Sequence, residues 1–431
     1  MRKYNNYKDS GIEWIGEIPE HWNLNKVKHN FSFKTGFTPP SGKTEYYEDG
    51  KHIWINISDL QEKQIHDSVN KITDKAIEDF KPNVVPKGSL LYSFKLSVGR
   101  VGFNMVDCYT NEAIFSIDPN GSANLNFFYY SLPEQIIKNA NENIYGAKIL
   151  NQELIKNAFL VVPTPEEQTA IANFLDRKTT EIDELIADKK RLLELYEEEK
   201  TAIINQAVTK GINPNVPMKD SGIEWLGEIP EHWEVKRLSW CFEIIGSGTT
   251  PKAGSEEYYS NGEFNWLLTG DLTDGDILET SKKVTQKALD DHTSLKKYPV
   301  NSIVMAMYGA TIGKLGILKI PTTVNQACCV MGNPIHLHYQ FAFFLLLAAR
   351  KEIINMSYGG GQPNISQELI KSFRVQVPPI EEQKTIVNHI ETECALIDCK
   401  TENTKKLIDL LTEYRTALIS EVVTGKIKVT E

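Results

Sequence analysis

Apolar residues follow two rhythms along this chain, and the change of rhythm divides it into two kinds of segment. In Glu166–Val208, Ile171, Leu175, Ile182, Leu185, Leu192, Tyr196 and Ile203 recur near a 3.5-residue spacing. In Glu381–Val423, Ile386, Ile390, Ile397, Leu407, Leu411 and Leu418 take matching positions. Both stretches are nearly free of Gly and Pro and rich in Glu, Lys, Leu, Ile and Ala, which predicts helix. Pro163 and Pro378 stand just upstream, and Glu-Glu follows where a helix dipole favours negative charge. Lys178, Lys189, Glu393 and Thr404 interrupt the stripe, so the heptads are imperfect. A helix of this length spans roughly 65 Å at 1.5 Å per residue. So narrow a stripe cannot bury itself. Its natural partner is the other copy, giving an antiparallel coiled coil. The other arrangement lays each helix along the core of its neighbouring domain.

Elsewhere the rhythm is short. His52–Ile57, Ser89–Phe94 and Ala113–Ile117 read as strands, being β-branched or aromatic and bounded by Gly or Pro. Phe264–Leu268, Ser302–Met307 and Cys328–Met331 correspond to them. Helices are expected at Asp74–Phe80, Leu125–Ala140, Gln286–Asp291 and Leu337–Met356. The predicted class is α+β.

These correspondences belong to an internal repeat. Lys8–Trp22 (KDSGIEWIGEIPEHW) and Lys219–Trp233 differ only at Ile15 against Leu226. Pro163–Ile212 aligns without gaps to Pro378–Ile427. Between the anchors the copies diverge, yet landmarks persist. Thr38-Pro39 answers Thr250-Pro251, Tyr46-Tyr47 answers Tyr258-Tyr259, and Trp54 answers Trp266. Asn111-Glu112-Ala113 answers Asn325-Gln326-Ala327, and Tyr145-Gly146 answers Tyr358-Gly359. A solenoid would repeat every ~20–50 residues, so this is a duplicated domain. The expected organisation is a leader (1–22), a variable domain (23–162), a spacer helix (163–210), a linker with the repeated leader (211–233), a second variable domain (234–377) and a distal spacer helix (378–431).

Composition narrows the class. With 41% hydrophobic and 24% charged residues the chain reads as a globular protein. The longest apolar run, Phe341–Ala349, is about half of the ~20 residues a membrane span needs. No secretory signal pattern opens the sequence. The six cysteines show no CxxC pair, so reduced thiols in a cytoplasmic protein are expected. The net charge of −10 counts against a lone DNA binder, which needs cations for phosphates. Its distribution softens the objection. The variable domains carry 0 and +1, while the leaders (−1 and −3) and helical segments (−4 and −3) hold the acidity. A basic partner that clamps the duplex would supply what the domains lack.

Catalytic motifs are missing from the sequence. It contains no DPPY or NPPF tetrapeptide for amino methylation, no F-x-G-x-G loop, no HExxH and no G-x-S-x-G. Gly36–Thr44 (GFTPPSGKT) imitates a phosphate loop, but its glycines are one residue too far apart and its prolines spoil the backbone nest. His21 and His232, beside Trp22 and Trp233, are expected to pack, not to catalyse. The chain reads as non-catalytic.

The doubled leader, the G-x-T-P turn before Tyr-Tyr and Trp, the N-(E/Q)-A step and the P-x-x-EEQ helix start together resemble the specificity subunits of type I restriction–modification enzymes. The resemblance covers nearly the whole chain. It implies two target recognition domains, each reading one half of an asymmetric bipartite site in double-stranded DNA, in a pseudo-two-fold arrangement. It implies that the helix pair sets the spacer and docks two methyltransferase subunits, joined by motor/endonuclease subunits. The chain itself would need no cofactor, and its partners would use S-adenosylmethionine, ATP and Mg2+. A non-catalytic assembly scaffold with two protein-binding domains is the alternative. Base edges are read by cationic, amide and hydroxyl side chains. Candidates near the landmarks are Lys34, Thr35, Thr38, Lys43, Ser93, Lys95, Arg100 and Lys148 in the first domain. In the second they are Thr249, Thr250, Lys252, Tyr308, Lys314, Gln362 and Asn364. Asn111 and Asn325, present in both, suggest a shared turn. Gly359-Gly360-Gly361 suggests a loop that lets backbone approach DNA.

Overall fold

The computed structural model describes residues 2–95, 97–142, 148–357 and 364–429. The chain separates into two compact units, Met1–Lys190 with Lys406–Glu431, and Arg191–Lys405. The boundaries cut through the long helices, so each unit holds one variable domain with a half of each helix.

In the first unit, Asn23–Lys26 pairs antiparallel with Phe159–Val162 and closes the variable domain at its ends. Within it lies a five-stranded sheet in the order Lys34–Thr35, Ile114–Ile117, Leu90–Ser93, Val101–Asn104, Gln64–Ile65. A smaller sheet places His52–Ile55 between Tyr109–Thr110 and Lys71–Ile72. The second unit repeats both orders. Its large sheet runs Phe242–Ser247, Cys328–Pro334, Ile303–Ala306, Leu315–Leu318, Gly275–Ile277. Its small sheet centres on Phe264–Leu267. The central strands Leu90–Ser93 and Ile303–Ala306 are buried at every position, as a strand covered on both faces must be.

The helices Asp74–Phe80 and Gln286–Asp291 form as expected, each capped by a threonine hydroxyl accepting from the N–H three residues on (Thr73 from Ala76, Thr285 from Ala288). The expected helices at Leu125–Ala140 and Leu337–Met356 occupy Leu125–Ile136, with a 3-10 turn to Asn139, and Tyr339–Asn355.

The spacer helices run Pro165–Lys210 and Ile380–Val423. They are antiparallel within each unit. In the first, Arg415 grips Asp183 with Nε at 2.8 Å and Nη2 at 3.0 Å. In the second, Lys200 Nζ meets Asp398 at 2.8 Å. The apolar stripe is used chiefly at the helix ends. Ile171, Leu175 and Ile182 join Leu418 and Val422 in the first core, and Ile386 and Ile390 join Ile204 and Val208 in the second. Three seam assignments shift. Leu185 and Leu407 are exposed, and Ile204 is buried more fully than Ile203. Both expected arrangements therefore hold in part: the helices pair, and their ends also enter the cores of the variable domains.

The repeated leader meets the repeated helix start. Trp22 Nε1 donates to Glu167 at 2.9 Å, with His21 Nε2 3.1 Å from the same carboxylate. Trp233 Nε1 donates to Glu382 at 3.1 Å, with His232 at 2.7 Å. Both indoles are fully buried. The tryptophans pack as expected, whereas His21 and His232 stay exposed at the rim of the joint, each held by the carboxylate that the indole binds. Each leader also receives the end of the other copy's helix. Lys426 Nζ donates to the Glu17 carbonyl at 2.7 Å, and Lys210 Nζ donates to that of Glu228.

Candidate nucleic-acid interface

The G-x-T-P segment leaves the edge strand of each large sheet and crosses the end of the small one. It needs glycine there, because a Cβ on Gly36 or Gly248 would strike the carbonyl of Thr110 or Val324. The repeated aromatics then hold it. Trp54 Nε1 donates to the Phe37 carbonyl at 3.0 Å, and the Tyr47 hydroxyl donates to that of Pro39. In the second domain Trp266 donates to Thr249 at 3.2 Å and Tyr259 to Pro251 at 2.7 Å. Burial and then the nearby Glu112 carboxylate push the Tyr47 phenol up, keeping it a hydrogen-bond donor.

Beside this segment lies the Asn step. Asn111 N–H donates to Ile55 O at 3.0 Å, and its side-chain Oδ1 accepts from Ala113 N–H at 3.1 Å. Asn325 makes the same bonds to Leu267 O and from Ala327 N–H, each at 3.1 Å. The asparagines are thus shared turn-formers, as the repeat suggests. Ala113 N and O lie inside the same frame, since Phe94 N–H donates to Ala113 O at 2.9 Å. Met307 N–H likewise donates to Ala327 O at 2.7 Å. This brings in a third element, the loops that follow the central strands.

Three segments therefore meet at one end of each domain: the G-x-T-P turn, the Asn step and the loop after the central strand. Thr38, Lys43, Lys95 and Arg100 lie exposed on these segments in the first domain, and Thr250, Lys252 and Lys314 in the second. Thr249 and Tyr308 are half-buried there. Asn364 is exposed and adjoins the second loop, because Ile365 N–H donates to Met307 O at 2.8 Å. Other candidates fall elsewhere. Lys34 lies on the edge strand and lines a pocket of about 190 Å³ with Ser116 and Asp118. Thr35 accepts from Gln152 Nε2 at 3.2 Å.

Ser93 is a correction. It is 0% exposed, its hydroxyl donates to Ser97 O and it accepts from Arg100 N–H at 3.0 Å. It shapes the loop that presents Lys95 and Arg100 and cannot itself touch a base. The backbone of Lys148 pairs with Asn141–Glu142. Gln362 and Gly359-Gly360-Gly361 lie outside the described residues. Glu112 and Gln326, exposed at the middle of the Asn step, are absent from the sequence candidates because the step reads there as a landmark only.

Among the described residues no three His, Cys, Asp or Glu groups gather as metal ligands. Burial pushes the thiols of Cys108, Cys328 and Cys329 up to about 12, which keeps them protonated. No helix among the described residues is long and apolar enough to cross a membrane.

Comparison with known proteins shows the family of the chain. The type I restriction modification DNA specificity domain matches residues 19–195 and 230–413, once for each copy. The chain belongs to that family. It carries two target recognition domains and is a specificity component, not a catalytic subunit. The MjaIX specificity subunit of Methanocaldococcus jannaschii is 26% identical over 430 residues, covering 97% of this chain and 96% of the relative. The EcoBI specificity subunit of Escherichia coli is 22% identical over 371 residues, covering 80% and 76%. The fold is similar to a chain from a solved type I R-M system, with a TM-score of 0.70 at 12% identity over 95% of this chain and 99% of that one. It is also similar to the HsdS subunit of Thermoanaerobacter tengcongensis, with a TM-score of 0.59 at 13% identity over 95% and 98%.

Proposed function

We propose that this chain reads an asymmetric bipartite DNA site in the cytoplasm, each recognition domain taking one half. The observation that carries this reading is the pair of three-segment ends, built on the same hydrogen bonds yet tipped by different side chains. Equal frames suit equivalent poses on two half-sites, and unequal tips suit different bases.

The helix pair sets the spacer and docks two methyltransferase subunits. Exposed apolar side chains support this docking: Leu407, Leu410 and Tyr414 in the first unit, Leu195 and Leu396 in the second. Near-neutral domains bind phosphates weakly alone, so the methyltransferases supply the clamp and use S-adenosylmethionine. Motor/endonuclease subunits would join them, using ATP and Mg2+.

Replacement of residues 23–162 by the first domain of another family member tests the reading. Methylation mapping should show one half-site changed, with the other half and the spacer intact. No bipartite motif in the parent complex, or a change in both halves, overturns it.

A further inference from the structure

We propose that Glu112 and Gln326, the middle residues of the two Asn steps, each determine one base of their half-site. The inference rests on the reading of these ends as DNA-facing and assigns a contact within it.

Both residues stand on the same backbone. On one side the Asn side chain and N–H are bonded, and on the other the alanine N–H and carbonyl are bonded. Ala113 and Ala327 are buried, whereas Glu112 and Gln326 are exposed. A turn fixed on both flanks can only send its middle side chain outward, among the segments that present Lys95 and Arg100 or Lys252 and Lys314. The two domains thus hold one position in common and differ there in head group alone.

That difference is chemical. A carboxylate only accepts hydrogen bonds, whereas a carboxamide also donates two. Beside a phosphate backbone a carboxylate is repelled, so its place at a DNA-facing end requires a donor opposite it. In the major groove, donors are the amino groups of cytosine and adenine. Gln326 is oriented differently, because the Thr250 hydroxyl donates to its Oε1. This leaves Nε2 to donate to a base acceptor, as adenine, guanine and thymine offer. Glu112 therefore demands cytosine or adenine at one position, and Gln326 a base with an acceptor edge at another.

The test uses the full chain assembled with its methyltransferase subunits on DNA libraries randomised across both half-sites. The parent must first yield a bipartite motif; without one, the underlying reading fails and not this assignment alone. Glu112→Gln should then admit guanine or thymine at one position where the parent demands cytosine or adenine, a shift of ~10–100-fold. The second half-site should be unchanged, and retained selection at the remaining positions of the first half-site certifies that the altered domain is folded. Gln326→Glu should produce the reciprocal change in the other half. Asn111→Ala, which loosens the turn, should weaken the whole first half-site without altering the preferred bases. An unchanged preference in Glu112→Gln, or a uniform weakening like that of Asn111→Ala, overturns the assignment. So does loss of binding to every library member by a variant that unfolds at the parent's temperature.

Discussion

The leader joint and the recognition end are both duplicated, but the copies have aged differently in the two places. At the joint, His21, Trp22 and Glu167 recur as His232, Trp233 and Glu382 with the same bonds. At the recognition end only the frame recurs. Trp54 and Trp266 hold the G-x-T-P turn alike, while Lys95 and Glu112 are answered by Tyr308 and Gln326, and Arg100 by a different cation, Lys314. The leader is constant at exposed positions such as Lys8, Asp9, Glu13 and His21 as well as at the buried Trp22, and its one difference, Ile15 against Leu226, is buried, so the joint is held constant as a whole and not by burial alone. The tips of the recognition end differ, and there the difference can carry information.

Substitutions graded by depth should reproduce this contrast. Trp22→Ala removes a fully buried indole and strands Glu167, so it should destabilise the first unit by about 3–5 kcal/mol in denaturant unfolding. A loss under about 1 kcal/mol would mean that the joint is dispensable. Trp54→Phe deletes one hydrogen bond to the recognition turn and should cost about 1 kcal/mol. DNA selection should show weaker reading of the first half-site with the same bases preferred. A changed base would move Trp54 from frame to tip. Arg415→Ala breaks a partly exposed ion pair with Asp183, and a loss of under about 1 kcal/mol is expected. A larger loss would mark the helix pair as more tightly coupled than its exposure indicates.

Much of this organisation is legible in the sequence, for identifiable reasons. Asp74–Phe80 and Gln286–Asp291 form where the sequence places them, and the spacer helices announce themselves through length and composition. The edge strands Lys34–Thr35 and Gln64–Ile65 do not, since two residues set by neighbouring strands carry no period of their own. The spacer stripe misleads near Leu185 and Leu407, where apolar spacing continues but no core lies opposite. At the recognition end the landmarks locate the segments, but polarity alone does not separate reader from frame. Ser93 is polar because it ties a loop, and Glu112 sits inside a motif whose repetition draws attention to its neighbours.

The two lysines that anchor each leader occupy different columns of the repeat. One copy ends its helix Thr209-Lys210-Gly211-Ile212, the other Thr424-Gly425-Lys426-Ile427. Both nonetheless deliver an ammonium to the same leader carbonyl, that of Glu228 or Glu17. Compared column by column, the pair scores as two mismatches in a row. In space it is one solution reached by two spellings, each with a glycine at positive φ to end the helix. Exchanging the order of lysine and glycine thus leaves the contact standing, because a flexible four-carbon stem reaches the same carbonyl from either position.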